Sequence, residues 1–183
     1  MIIGVAGPLA VGKDTVSDIL TQQGFVNFSY GDYLRRECAR RGLPIDRPTL
    51  VWLADEYRSK DPAYLSKELI KDVEAQGVAN AVLSGIRAPG EIEALRSRKD
   101  FQFWWIDAPI EIRYKRIKEH PRDERDTISF EEFKAHEHRE IHGINTQINF
   151  TKIKEYADRV ILNDGDINLL KQRVTHALAQ VNL

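Results

Sequence analysis

The sequence holds one cysteine, Cys38, which excludes a disulfide within the chain. It holds no run of about 20 apolar residues, which excludes a membrane-spanning helix. Excess charge of either sign is missing too. Against 28 Asp and Glu stand 27 Lys and Arg, a formal net charge of −1, so no global field would hold the protein on a nucleic acid or an anionic membrane. Any phosphate it binds must be held locally. Internal repeats, low-complexity tracts and Gly/Ser linkers are absent. Met1-Ile2-Ile3 lacks the basic flank and long apolar stretch of a signal peptide, so a reducing cytoplasm is the expected location. With 183 residues, 42% of them hydrophobic and 30% charged, the chain has the material for one globular domain over 1–183 and not the composition of a disordered one.

What is present is an alternation of short apolar runs with amphipathic segments, the pattern of an α/β fold. Ile2-Ile3-Gly4-Val5-Ala6 is continuously apolar and stops at Gly7-Pro8, as a strand buried on both faces should. Val16, Ile19 and Leu20 recur at helical spacing and predict a helix closed by Gly24. Residues 25–28 read as strand two, 32–41 as a helix ending at Gly42, and 47–76 as further helices passing through Asp61-Pro62. Strand three is expected at 79–83, a helix from Pro89, a central strand four at 101–106, a helix after Pro109, strand five at 160–162, and a closing helix on Leu170, Val174 and Ala177. Strands joined by helices predict a parallel sheet with right-handed crossovers. Residues 113–150 break the rhythm with dense charge and little apolar content before Ile144, and predict a mobile or peripheral excursion outside the core. Trp104, Trp105 and Cys38 are expected inside it.

Directly after strand one stands Gly7-Pro8-Leu9-Ala10-Val11-Gly12-Lys13-Asp14-Thr15, which matches G-x-x-x-x-G-K with a strand before it and a helix after it. The glycines let the backbone curl so that successive amides converge on phosphate oxygens. The helix adds its N-terminal amides and dipole, and Lys13 reaches the terminal phosphates. This predicts ATP as ligand, with Gly7, Ala10, Val11, Gly12, Lys13, Asp14 and Thr15 around its phosphates. The usual Ser/Thr after the lysine is Asp14, with Thr15 one place later. Thr15 is thus a candidate for phosphate or Mg2+, and Asp14 either helps hold the metal through water or favours the helix N-terminus.

After strand two, Ser29-Tyr30-Gly31-Asp32-Tyr33-Leu34-Arg35 resembles the Ser-Thr-Gly-Asp-x-Leu-Arg segment of adenylate kinases. After strand three, Ser84-Gly85-Ile86-Arg87 resembles their Asp-Gly-…-Arg element, with Ser84 where that family has Asp. Gly-Lys-Asp-Thr is similar to the Gly-Lys-Gly-Thr of nucleoside monophosphate kinases. Gly31-Asp32-x-x-Arg35, Gly85-Ile86-Arg87-x-x-x-Glu91 and Tyr156-Ala157-Asp158 also resemble dephospho-coenzyme A kinase-related proteins. The chain as a whole resembles the adenylate-kinase-like and deoxynucleoside-monophosphate-kinase-like branch of P-loop kinases. The resemblance implies a three-layer P-loop NTPase sandwich: a five-stranded parallel sheet, helices on both faces, an acceptor-binding helical segment at 32–76 and an arginine-rich lid at 113–142. It implies that Arg35 and Arg87, with Gly31 and Asp32, hold the acceptor phosphate, a role suited to the planar guanidinium fork. It also implies that Asn163-Asp164-Gly165-Asp166 lies under the donor base, for which helix capping by either Asp is the equal alternative.

The excursion carries Arg113, Lys115, Arg116, Lys118, Arg122 and Arg125, where such kinases have their lid. Arg116, Arg122 and Arg125 are the candidates for neutralising charge on the moving phosphoryl group; the alternative is a solvated charged helix face. Asp107, closing strand four, is a candidate to support a metal. His136, His138 and His142 lack the spacing of a metal site and read as a solvated face. The expected activity is ATP- and Mg2+-dependent transfer to the phosphate of a nucleoside monophosphate by a monomer or homodimer. The alternatives are a dephospho-CoA kinase-like enzyme, whose hydroxyl acceptor would need a base such as Asp32, and a nucleotide-binding regulator with slow hydrolysis.

Overall fold

The computed structural model describes residues 1–121, 128–142 and 148–181. Five strands, β1 (Ile2–Ala6), β2 (Val26–Ser29), β3 (Ala81–Ser84), β4 (Phe101–Asp107) and β5 (Arg159–Leu162), form one parallel sheet in the order β2-β3-β1-β4-β5. The central β1 is buried at all five positions, which is why its sequence is apolar without alternation. Its residues alternate between two cores. Ile2 and Ala6 face one side with Leu83, Phe103 and Trp105; Ile3 and Val5 face the other with Trp104 and Ile106. The first side is covered by α2 (Tyr30–Arg41), α3 (Arg47–Lys60), α4 (Tyr64–Gln76), α5 (Pro89–Glu93) and α8 (Phe150–Glu155), the second by α1 (Lys13–Thr21) and α9 (Ile167–Ala179). Trp104, Trp105 and Cys38 are all interior, as expected.

Local signals explain the ends of these elements. Ser29, Asp46, Asn149 and Asp166 cap α2, α3, α8 and α9 by accepting from the backbone N–H three residues on. Asp166 therefore fills the capping role that was one of its two readings. Strands two and three run one or two residues later than the sequence suggests, at Val26–Ser29 and Ala81–Ser84. Helix α1 stops at Thr21, and Gly24 closes the turn that follows.

The expectation that 113–150 lies outside the core is corrected. It contains α7 (Phe130–His142) and the start of α8, and α6 (Ile110–Glu119) overlaps it; Arg113, Ile117, Phe133, Ile148 and Phe150 are buried. Tyr114 packs on Phe130 and Phe133 with ring centroids at 5.0 and 5.7 Å. The buried Arg113 pairs with Glu137, an ion pair that no hydrophobic pattern announces. Arg122 and Arg125 lie outside the described residues.

Helices α2 and α3 are joined by a polar cluster. Tyr57 donates to Glu37 at 2.6 Å, and Arg41 binds both Tyr57 and Glu56. The Arg40 guanidinium above all, with the Tyr57 hydroxyl, lowers the Glu37 carboxyl from 4.5 to about 2. A carboxyl depressed in the folded state stabilises above its unfolded value and loses that contribution as pH falls through the folded one. Glu37→Gln should therefore melt below the wild type at pH 7, and the difference should close as pH is lowered from about 5 toward about 2. Thermal melts of both proteins across that range check it.

Candidate active site

The loop from Gly7 to Gly12 curls at the C-terminal end of β1, and side-chain donors hold it from outside. Lys13 Nζ rests on the Pro8 carbonyl at 3.1 Å, Arg113 Nη1 reaches the Leu9 carbonyl at 3.3 Å, and Asn163 Nδ2 reaches the Val11 carbonyl at 2.9 Å. Val11 itself is fully buried and pins the loop to the sheet. Gly12 has φ +92°, and a Cβ there would lie 2.4 Å from Asn163 Nδ2, so both conformation and space require glycine. At Gly7 a Cβ would lie 2.4 Å from the Ile106 carbonyl oxygen.

Ala10 is the one non-glycine residue with positive φ among the described residues, at +59°. A left-handed conformation costs a side-chain-bearing residue about 1 kcal/mol. Ala10→Gly should remove that strain and leave stability unchanged or higher by up to about 1 kcal/mol, the gain being offset by the freer unfolded chain. Urea unfolding measures it.

Asp14 and Thr15 occupy the first turn of α1, Asp14 exposed and Thr15 half-buried. Among the described residues no group of three or more His, Cys, Asp or Glu could hold a metal. A hydroxyl and a carboxylate beside a phosphate loop suit Mg2+, which usually takes one or two protein oxygens and completes its shell with phosphate and water. His136, His138 and His142 are exposed, as the solvated reading expects, the rings of His138 and His142 meeting at a tilt of 52°. Asp107 is bound by Lys154 Nζ at 2.7 Å.

Arg116 lies on α6 beside the loop. Its Nη2 donates to the carbonyl and side-chain oxygens of Asn163 at 3.0 and 3.3 Å, while its buried Nη1 has no partner among the described residues. Burial, reinforced by Arg113, lowers its pKa from the ordinary arginine value. A guanidinium close to a phosphate loop is a group suited to an anion. Asn163, expected under a donor base, buttresses the loop with its amide and orients Arg116 with its oxygens. Asp164 is held by Arg173 at 2.7 Å.

On the other flank, the Gly85 N–H donates to the Val5 carbonyl at 3.1 Å and brings Gly85-Ile86-Arg87 beside the loop. The Arg87 and Ala88 N–H groups donate to Glu91 Oε2 at 2.8 and 3.0 Å. The other Glu91 oxygen pairs with Arg58, the two side chains being 0% and 5% exposed. Tyr30 and Ser66 extend this network to the Glu91 carbonyl. The Arg87 side chain is 38% exposed and its guanidinium meets Glu140 of α7 at 3.8 Å, a loose pair. Arg47 and Arg58 add positive charge near it. Arg35 folds back over Gly31 to bind Asp32 at 2.6 Å, both side chains being more than half exposed. The first two turns of α2 thus bring Gly31, Asp32 and Arg35 together. Asp158, in the third motif, is structural: it accepts from the Phe103 N–H at 2.6 Å and from Arg96.

Arg47, Arg58, Glu137, Glu140 and Lys154 were not anticipated. Only Arg58 had an indirect signal, through its partner Glu91 in the Gly-Ile-Arg-x-x-x-Glu pattern.

Comparison with known proteins adds the following. A family model described as an AAA domain matches residues 3–139. A UPF0200 protein of Pyrobaculum aerophilum is 31% identical over 182 residues, covering 98% of each chain. Among solved structures, shikimate kinase from Acinetobacter baumannii in complex with shikimate is similar at TM-score 0.60 and 17% identity, covering all of this chain and 94% of that one. Dephospho-CoA kinase from Campylobacter jejuni is similar at TM-score 0.53 and 16% identity, covering 99% and 97%. At these identities the likeness is one of fold, and the fold is that of P-loop kinases: a five-stranded parallel sheet with helices on both faces.

Proposed function

The chain belongs to the AAA-domain family and to the UPF0200 proteins, and from that premise we propose that it is an ATP- and Mg2+-dependent kinase that moves the γ-phosphoryl group onto the phosphate of a nucleoside monophosphate. The observation that carries the reading is the supply of cations on both flanks of one phosphate loop: Arg116, whose Nη1 has no partner among the described residues, on one side and the loosely paired Arg87 on the other.

In this scheme Gly7, Ala10, Val11 and Gly12 shape the cradle for the ATP phosphates and Lys13 stabilises the migrating group. Thr15 and Asp14 are the residues to hold Mg2+, which when bound neutralises phosphate charge. Arg87 and Arg35 hold the acceptor from the helical segment 32–76, with Gly31 leaving room for the Arg35 side chain. Arg116, joined by Arg122 and Arg125 of the lid at 113–142, surrounds the transferred charge, all within one domain. An acceptor phosphate is already ionised, so no strong base is required, and positioning with charge neutralisation supplies the catalysis.

The test is a Mg-ATP transfer screen against ribo- and deoxynucleoside monophosphates and dephospho-coenzyme A, with Lys13→Ala as the blank. A Lys13-dependent nucleoside diphosphate is the expected result. Product from dephospho-coenzyme A alone would replace the acceptor phosphate with a hydroxyl. Hydrolysis without product from any acceptor would replace the kinase with a nucleotide-binding regulator.

A further inference from the structure

Helix α7 touches both flanks of the phosphate loop through two glutamates. Glu137 and Glu140 are three residues apart and so lie on one helix face. Glu137 grips Arg113 with both carboxylate oxygens, and Arg113 in turn reaches the Leu9 carbonyl of the loop at 3.3 Å. Glu140 meets Arg87 on the other flank, and that contact is of another kind. At 3.8 Å it is too long for a hydrogen bond, and both side chains are partly open to solvent. Among the described residues the Arg87 guanidinium donates no hydrogen bond, and the Glu140 carboxylate has no second partner.

The charges around Arg87 give this loose pair its meaning. Arg58 is neutralised by Glu91, which leaves Arg87 and Arg47 with Glu140 as their counter-charge. A phosphate monoester carries a charge of about −1.5 to −2 at neutral pH. Two arginines balance such a group only once Glu140 has left; while it stays, the incoming anion meets a like charge at the guanidinium it needs. Leaving requires little. Helix α7 is fixed on both sides of Glu140, by the Glu137–Arg113 pair before it and by the Thr151 hydroxyl donating to the Ile141 carbonyl at 3.0 Å after it. The backbone therefore stays in place, and the carboxylate reaches solvent by turning about its own side-chain bonds.

We propose that Glu140 is a displaceable counter-ion: it holds the place of the acceptor phosphate on Arg87, and the phosphate drives it off on binding. The arginine is thereby neutralised while the site is empty. The consequence is a lowered acceptor affinity, since the anion must win Arg87 from a carboxylate tethered beside it. An ion pair this open to solvent is weak, so the reduction is small and the acceptor displaces Glu140 readily. That the displacing anion is a phosphoryl acceptor rests on the kinase reading above, whereas displacement of Glu140 by an anion does not.

The variant Glu140→Gln removes the charge and keeps the size of the side chain. Titration with inorganic phosphate, followed by NMR at the Arg87 Nε–H resonance, reads the anion at this guanidinium and not at the loop; loss of the resonance in Arg87→Lys identifies it. The dissociation constant should fall about two- to sixfold in Glu140→Gln, the factor by which a partly exposed ion pair holds off a competitor. In transfer assays the KM for the accepted monophosphate should fall by the same factor, with kcat and the KM for ATP unchanged. Thermal melts supply the contrast within α7: Glu137→Gln strands the buried Arg113 and should melt below the wild type, whereas Glu140→Gln should melt with it. Unchanged phosphate binding at Arg87 in Glu140→Gln would overturn the proposal, and so would weaker binding, which would make Glu140 a residue that positions the guanidinium. Tighter phosphate binding at Arg87 in a protein that phosphorylates no monophosphate would uphold the counter-ion and overturn the kinase reading. Transfer to a monophosphate with a KM indifferent to Glu140 would do the reverse.

Discussion

Replacing Lys13 with alanine should reduce phosphoryl transfer by at least roughly 10²–10³-fold, the usual effect of deleting one preorganised group that stabilises charge in the transition state. Fold stability should barely change. The ammonium group is half-buried and rests on the Pro8 carbonyl, while the loop is also held by Arg113 and Asn163 from outside. ATP should still bind, more weakly, because most of a phosphate cradle is backbone. Initial rates under saturating Mg-ATP, equilibrium binding of an ATP analogue and a thermal melt separate the three quantities. A variant with unimpaired transfer would show that this loop does not hold the donor. Lys13→Arg should not rescue activity, since a planar fork does not reproduce a compact ammonium at the end of a narrow loop.

Glu91→Ala should be the most destabilising single change among the helices α2–α5, costing about 3–5 kcal/mol, because it leaves the buried Arg58 without a counter-ion. The same carboxylate accepts from the N–H groups of Arg87 and Ala88, so two backbone donors lose their partner as well. At about 2–4 °C per kcal/mol for a chain of this size, the melting temperature should fall by roughly 10 °C. The pair can be neutralised instead of broken: in Arg58→Met with Glu91→Gln, the amide oxygen still accepts from the loop and no charge is stranded. That double variant should recover most of the loss, and a double variant as unstable as Glu91→Ala would refute the ion-pair explanation. Because Glu91 holds the main chain from which Arg87 projects, residual activity of Glu91→Ala should show a raised KM for the acceptor and an unchanged KM for ATP.

These two residues differ in how far they could be read from the chain. Lys13 is legible because the loop is local: strand, glycine turn, lysine and helix are contiguous, and each has a backbone reason to be there. The five strands are legible for a similar reason, since apolar runs such as Ile2–Ala6 and Phe101–Asp107 record burial directly. The Arg58–Glu91 pair is not legible, because 33 residues separate its members and a buried ion pair has no periodicity. Helix α7 escaped for a related reason. Phe133 is its one fully buried residue, and much of what holds it is Arg113–Glu137 and the packing of Tyr114, contacts that a charged sequence does not display. Trp105 was read correctly as interior, but a side chain's burial does not reveal whether its N–H is satisfied.

The sheet that separates the two apolar clusters has a consequence for how such a protein can diversify. Val11, Val16 and the rest of α1, which anchor the phosphate loop, belong to the cluster shared with α9, whereas Tyr30, Leu34, Ile86, Trp105 and Phe150 belong to the one on the opposite face. Residues on the second face can therefore be exchanged, and the proposed acceptor side reshaped, without repacking the layer that holds the phosphate loop. One half of the molecule is free to drift toward new substrates while the other stays constant, so relatives sharing this architecture should vary most around α2–α5 and α8 and least around β1 and α1.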